Sequence, residues 1–188
     1  ANKELQAIAT AIGVDPHGAA DSPDLTGLRY GKVIIMTDAD VDGGHIQALL
    51  LTFFFMHAPK LVEAGRIYVS QAPLFKVEIP SQGKGRSARR VYCLDEDELE
   101  DTLSALKKEK VKEGAWEISR FKGLGEMNPE QLWETSMNPD SRRLVRMQLD
   151  AKQIEKARET FELLMDSGEA EGRRNWMREH WKTVEADV

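Results

Sequence analysis

The stretch "VIIMTDADVDGGH", Val33 to His45, sets four apolar residues before three aspartates spaced by two and a Gly-Gly pair. Val33, Ile34, Ile35 and Met36 form a continuous apolar run, which predicts a strand covered on both faces. Asp38, Asp40 and Asp42 then fall at its carboxyl end, the place where ligands gather in open α/β sheets. Three carboxylates this close repel one another unless a cation neutralises them. The plain structural alternative is a solvated acidic turn. Gly43 and Gly44 remove side chains where a backbone must approach, and they let the next helix start closely packed.

On the amino-terminal side, "NKELQAIATAIG" predicts a short helix capped by Asn2, with Leu5, Ile8 and Ile12 on one face and Gly13 at its end. A Pro/Gly/Asp-rich connection leads from it to the strand. After the aspartates, "GGHIQALLLTFFFMHAPKLVEAG" is apolar nearly all round, which predicts a buried helix interrupted at Pro59. "RIYVSQA", "LFKVEIP" and "RVYCL" read as strands, the last two joined across the polar, glycine-rich "SQGKGRSARR". "DEDELEDTLSALKKEK" is a surface helix with Asp95 and Glu98 as a capping-box pair. "WEISRFK" is a further strand, and Asn128, Pro129 and Gln131 set a sharp helix start. "RRLVRMQLD" alternates like a half-buried strand. Asp150 and Gln153 open the next helix, with Ile154, Ala157, Phe161, Leu164 and Met165 on one face and Gly168 past its end. "RRNWMREHWKTV" closes the chain as a basic helix; Trp133, Trp176 and Trp181 are expected in core or interface packing.

The 188 residues carry 41% hydrophobic and 31% charged side chains, the balance of a soluble globular protein. The longest apolar stretch, Leu49 to Met56, is too short to span a bilayer, so no membrane partner is expected. No basic segment leads into an apolar signal region. The single cysteine, Cys93, excludes an internal disulfide, fits a reducing cytoplasm and reads as a small core residue. A net charge of −6 argues against simple nucleic-acid coating, yet allows a metal site that handles phosphates. The chain begins with Ala, from which a piece of a longer polypeptide is expected.

Three chemistries use such an aspartate cluster. An EF-hand opens D-x-D-x-D-G, but its twelfth loop position must be Glu and here is Leu49, and a strand precedes the motif instead of a helix. A phosphatase of the haloacid dehalogenase type would use Asp38 as nucleophile and Asp40 as general acid, but its later Ser/Thr, Lys and acidic pair are not evident. The third is a divalent-metal site for phosphodiester transfer, where Mg²⁺ is held by one or two carboxylates and keeps waters for phosphate oxygens.

"IIMTDADVDGGHIQALLLTFFF" resembles the metal-binding half of a TOPRIM domain, as in the B subunits of bacterial type IIA topoisomerases. "RFKGLGEMNPEQLWETSMNPDSRRLV" resembles a second signature of that family, and "RRNW" is similar to its terminus. The resemblance implies an α/β fold, a Rossmann-like parallel sheet flanked by helices, N-terminally truncated and followed by a mixed α/β tail. Residues 1–80 would be the carboxyl part of the TOPRIM domain, 81–115 a hairpin and helix insertion, and 116–188 the B-subunit tail. It implies Mg²⁺ (Mn²⁺ substituting) on Asp38, Asp40 and Asp42. It implies DNA contacts from Lys122, Gly123, Gly125 and His45, with Arg142, Arg143 and Arg146 as further DNA or partner contacts or a solvated charged face. For Lys122 to Gly125 a structural glycine turn is the alternative, and for His45 a capping or packing role. The implied partners are double-stranded DNA and the A subunit, in a heterotetramer. ATP would act only in an ATPase domain outside this chain, and the location would be the cytoplasm, on the chromosome. "LRYGK", "RFKGLGEMNP" and the lack of a large insertion look more like topoisomerase IV than gyrase. The family's catalytic Glu, in E-G-D-S-A, is not in this chain, and a larger residue usually stands at Gly44, which loosens the start of the following helix. The chain alone is therefore expected to be inactive on DNA, and an inert DNA- or partner-binding module remains the other reading.

Overall fold

Strand β1 (Val33–Ile35) and strand β2 (Ile67–Ser70) run parallel, with Val33 beside Ile67 and Ile35 beside Val69. Between them the chain crosses over through α2 (Val41–His57) and α3 (Pro59–Glu63), the connection a parallel pair requires. The computed structural model describes residues 2–14, 25–81, 87–149 and 154–183. Strand β6 (Leu144–Arg146) lies antiparallel on the other side of β2, so the sheet order is β1-β2-β6. The expected α/β class holds, with one parallel pair among the described residues. Among the described residues β1 pairs with β2 alone, and of its residues only Ile35 is buried, so the cover on both faces that the apolar run predicts is incomplete.

Pro59 divides α2 from α3 as expected, standing at the first position of α3 where its missing N–H costs nothing. The expectation that α2 is buried throughout is corrected. Phe53, Phe54 and Phe55 are buried, but Ile46 and Leu49 are exposed and Val41 is 87% exposed. The helix also begins at Val41, ahead of the glycine pair and not after it.

A second sheet is antiparallel, with order β4-β3-β5. Its strands are β3 (Phe75–Ile79), β4 (Arg89–Cys93) and β5 (Glu117–Arg120). They come from all three of the segments 1–80, 81–115 and 116–188. Helix α4 (Glu96–Lys108) closes the core over this sheet: Phe75, Val77, Ile79, Cys93, Leu106 and Val111 are buried together. Cys93 is the expected core thiol, with its Sγ 3.4 Å from Thr102 Oγ1. Asp95 caps α4 by accepting from the Glu98 N–H, but Glu98 reaches one residue further back, to the Leu94 N–H at 3.0 Å. The box is thus offset by one residue. Residues 82–86 at the tip between β3 and β4 lie outside the described residues.

Helix α1 (Lys3–Ile12) has its Asn2 cap and ends at Gly13, whose φ of 86° is left-handed. A Cβ at Gly13 would stand 2.1 Å from the Gly27 carbonyl oxygen, so only glycine fits. Asn128 and Gln131 form the full reciprocal box that starts α5 (Pro129–Leu132), which runs on as a π-helical turn over Trp133–Met137. Helix α6 (Ile154–Met165) and helix α7 (Ala170–His180) contain no buried residue. The expected opening of α6 by Asp150 and Gln153 lies outside the described residues. Trp133, Trp176 and Trp181 are all partly or largely exposed, not in a core; Trp176 stacks on His180 with ring centroids 4.7 Å apart.

The chain divides into two compact units. One holds residues 1–29, 51–65 and 148–188; the other holds 30–50 and 66–147. Both sheets and every aspartate of the motif belong to the second.

Candidate functional site

The three aspartates sit where β1 gives way to α2, and the helix start dictates what two of them do. Asp40 is the residue before α2; its Oδ1 accepts the Gly43 N–H at 2.7 Å, and its carbonyl takes the first helical bond from the Gly44 N–H at 3.0 Å. This is an N-cap, satisfying a donor that the helix itself leaves unpaired. Asp42 lies in the first turn, where the helix dipole favours negative charge. Asp40 and Asp42 are exposed, and Asp38 is too.

Asp38 is held differently. Its Oδ1 accepts the Leu124 N–H at 2.7 Å, from a residue 86 positions along the chain. Gly123 lies against the same carboxylate: a Cβ there would stand 2.8 Å from Asp38 Cγ and 2.9 Å from Oδ2. On the other side, a Cβ at Gly43 would stand 2.1 Å from the Asp38 carbonyl oxygen. The main chain of Asp38 is thus packed against the first turn of α2 and its side chain against the Lys122–Gly125 loop. Gly43 is required by that approach. Gly44 is not, since a Cβ there meets nothing within 4 Å.

The loop is anchored at both ends. Phe121 is buried and donates its N–H to the Leu74 carbonyl at 2.8 Å; Met127 is buried ahead of the Asn128 cap. Within it, Glu126 Oε2 accepts the Lys122 N–H at 2.8 Å. The aspartate motif and the "KGLGE" motif therefore meet. Sequence reasoning missed Leu124 and Glu126 in this role. The glutamate four residues after Lys122 is the one visible signal, and nothing in the sequence marks the Leu124 amide.

The other expected residues are placed less centrally. His45 is exposed on α2 and is not the cap, which is Asp40. Lys122 and Gly125 are exposed on the loop. Arg143 is exposed and pairs at the surface with Glu98. Arg142 reaches the Met137 carbonyl at 3.5 Å, and Arg146 is exposed on β6.

A hard divalent cation takes oxygen ligands, and Mg²⁺ keeps several waters beside one or two carboxylates. Asp38 and Asp40 each retain an oxygen that accepts no hydrogen bond from the described residues, and Asp42 retains both. Among the described residues, however, no three His, Cys, Asp or Glu are grouped to hold an ion. The carboxylates suit an ion that keeps most of its water and do not form a closed cage.

A separate polar network ties β4 to α5. Tyr92 donates its hydroxyl hydrogen to Glu134 Oε2 at 2.7 Å, and Arg90 stands 3.5 Å from the same oxygen and 3.6 Å from Glu130. Burial, with the hydrogen bond to Glu134, pushes the Tyr92 hydroxyl up to about 12. Hydrogen bonding to Tyr92 and the nearby glutamate charges raise Arg90.

A parallel strand thus runs into an aspartate cluster at a helix start, and a glycine loop meets it. Residues 15–72 match the Toprim domain, and residues 112–178 match the carboxyl terminus of the DNA gyrase B subunit. The chain belongs to the family of DNA gyrase and topoisomerase 4 B subunits. It is 46% identical over 190 residues to the DNA gyrase B subunit of Thermus thermophilus, covering 100% of this chain and 27% of the relative. It is 43% identical over 187 residues to the DNA topoisomerase 4 B subunit of Haemophilus influenzae, covering 98% and 27%. To the corresponding topoisomerase 4 protein of Escherichia coli it is 40% identical over 188 residues, covering 100% and 28%. The chain thus spans about a quarter of the length of these relatives. Asp38 lies in the first matched region and Leu124 in the second.

Proposed function

We propose that this chain is the part of a type II DNA topoisomerase B subunit that supplies metal-holding carboxylates and a share of the DNA gate. In this reading Asp38 and Asp40 hold Mg²⁺, or Mn²⁺ in its place, and Asp42 assists. An ion held there would offset negative charge on the scissile phosphate and the leaving 3′ oxygen. The attacking tyrosine comes from the A subunit, and ATP is hydrolysed elsewhere in the B subunit. The observation that carries the reading is the hydrogen bond from the Leu124 N–H to Asp38, which joins both matched regions in one place. Lys122 and Gly125, on the loop that meets Asp38, and His45, in α2, are exposed and suit phosphate contacts, which position a duplex without reading its sequence. Arg142, Arg143 and Arg146 are proposed as further contacts to DNA or partner, and the site of action is the cytoplasm. Between the two family names we favour topoisomerase 4, on the "LRYGK" and "RFKGLGEMNP" forms; identities of 46% and 43% do not rank them.

The test uses the full-length B subunit with its A subunit. Asp38→Ala or Asp40→Ala should abolish Mg²⁺-dependent double-strand cleavage while leaving ATP hydrolysis intact. The 188-residue chain alone should neither cleave nor relax DNA. Undiminished cleavage by both aspartate variants would sink the reading. Rapid hydrolysis of a small phosphomonoester by the chain alone, lost in Asp38→Asn, would favour the phosphatase chemistry instead.

A further inference from the structure

We infer that the Lys122–Glu126 loop is a positioning clamp for the Asp38 carboxylate, orienting that side chain toward the cation in addition to the phosphate contacts proposed for Lys122 and Gly125. The inference rests on the metal reading of Asp38 given above. An exposed aspartate ordinarily samples several rotamers, and a ligand carboxylate must be held in one. Asp38 is held on one oxygen by a backbone N–H, at 2.7 Å, which leaves the other oxygen uncommitted among the described residues. A backbone donor suits this work, since it has no side-chain freedom to lose and cannot compete as a cation.

Gly123 completes the clamp by what it lacks. Its φ is −170°, extended backbone that any residue adopts, so no conformational rule requires glycine here. The requirement comes from the carboxylate: a Cβ would lie 2.8, 2.9 and 3.0 Å from Asp38 Cγ, Oδ2 and Oδ1. Those three nearest atoms all belong to one short side chain. A methyl at position 123 would therefore displace the Asp38 carboxylate before it disturbed the fold. Gly125, in the same motif, faces open space. Glu126 fixes the loop by accepting the Lys122 N–H, and buried Phe121 and Met127 pin its ends. The loop is braced internally, as a positioning element must be.

Two substitutions probe the clamp with little cost to the backbone. Gly123→Ala adds the methyl without strain in φ. Leu124→Pro removes the N–H at the first residue of a short helical turn, where proline is tolerated, after a residue already in the extended region proline demands. Leu124→Ala keeps the N–H and separates its loss from loss of the side chain. Mn²⁺ affinity of the whole chain would be measured by the electron paramagnetic resonance of free ion. Asp38 carboxyl ¹³C and Leu124 amide shifts would be followed without metal, with the thermal midpoint as a check on folding. Gly123→Ala and Leu124→Pro should each weaken Mn²⁺ binding by about 10- to 100-fold, the range typical of groups that orient metal ligands. Leu124→Ala should bind about tenfold tighter than Leu124→Pro, again on the scale of a lost orienting group. Gly123→Ala should shift the Asp38 carboxyl resonance in the absence of metal. Binding that Asp38→Asn abolishes but both loop variants leave at the wild-type value overturns the clamp alone. No Mn²⁺ binding by the wild-type chain overturns the metal reading and the clamp with it.

Discussion

Helices α4 and α6 carry nearly the same kind of sequence and end in different places. Each is amphipathic, acidic at its start and about three turns long. Helix α4 sets Leu106 at 1% exposure, packed with Phe75, Val77, Ile79 and Cys93 over a three-stranded sheet. Helix α6 contains no buried residue; its Phe161 stacks on Phe55 with centroids 4.8 Å apart. An apolar stripe announces that a helix has a face to cover, and the surface that covers it must come from elsewhere. In α4 that surface is a sheet whose central strand alternates buried and half-buried residues along its length.

The sharpest test of this difference is a matched pair of truncations. Leu106→Ala should cost about 2–5 kcal/mol of unfolding free energy, the range for removing a fully enclosed leucine. Leu164→Ala, at a site 39% exposed, should cost at most about 1 kcal/mol. Urea denaturation followed by sheet circular dichroism and by helix signal would read both. Equal costs would mean that α6 is packed as firmly as α4 and that the contrast is false.

The same contrast explains what could be read from the sequence. Caps are legible because they are local: Asn2, Asp95 and Asn128 each act on residues two or three positions away. The strand-to-helix switch at Asp38 is legible for the same reason. What is not legible depends on distant partners. The pairing of β1 with β2 alone among the described residues follows from which strands meet it, not from the run Val33–Met36. The exposure of Ile46 and Leu49 follows from what does not cover the first half of α2. The meeting of Asp38 with Gly123 and Leu124 spans 86 residues through a backbone amide, and an amide leaves no signature in a string of side chains. Glu98 shows the boundary case: its capping role is evident in the sequence, but its reach to Leu94 and its pairing with Arg143 are not.

A smaller effect should come from the polar tie between β4 and α5. Tyr92→Phe removes the hydroxyl that donates to Glu134 and should cost about 1 kcal/mol, modest because the groups are partly exposed. Its pH dependence has a definite sign. The folded-state pKa, about 12, lies above the value near 10 of an unfolded tyrosine. The protonated hydroxyl is thus the form that folding favours. Its contribution is fully present below pH ~10 and is lost as pH rises toward ~12. The stability difference between wild type and Tyr92→Phe should therefore narrow across that window. A difference that stayed constant from about pH 9 to 12 would assign the cost to packing and not to the hydrogen bond.

The smallest effect should lie at the far end of the weaker region. Trp181 is 66% exposed and follows α7, beside Met177, which is 62% exposed. A tryptophan is the largest side chain to truncate, and in a core its loss costs about 3–5 kcal/mol. Here the ring is mostly solvent-facing, with Lys182 Nζ 5.6 Å from its centroid. An exposed cation over an aromatic face contributes about 0.5–1 kcal/mol at most. Trp181→Ala should accordingly change unfolding free energy by less than about 1 kcal/mol, read by the same urea titration. Intrinsic fluorescence gives an independent reading, because an exposed indole emits at longer wavelength than a buried one. Loss of Trp181 should remove red-shifted emission and leave the rest of the spectrum in place. A cost of several kcal/mol, or loss of a blue-shifted component, would show the ring to be enclosed, and the division between a covered α4 and uncovered carboxyl-terminal helices would have to be redrawn.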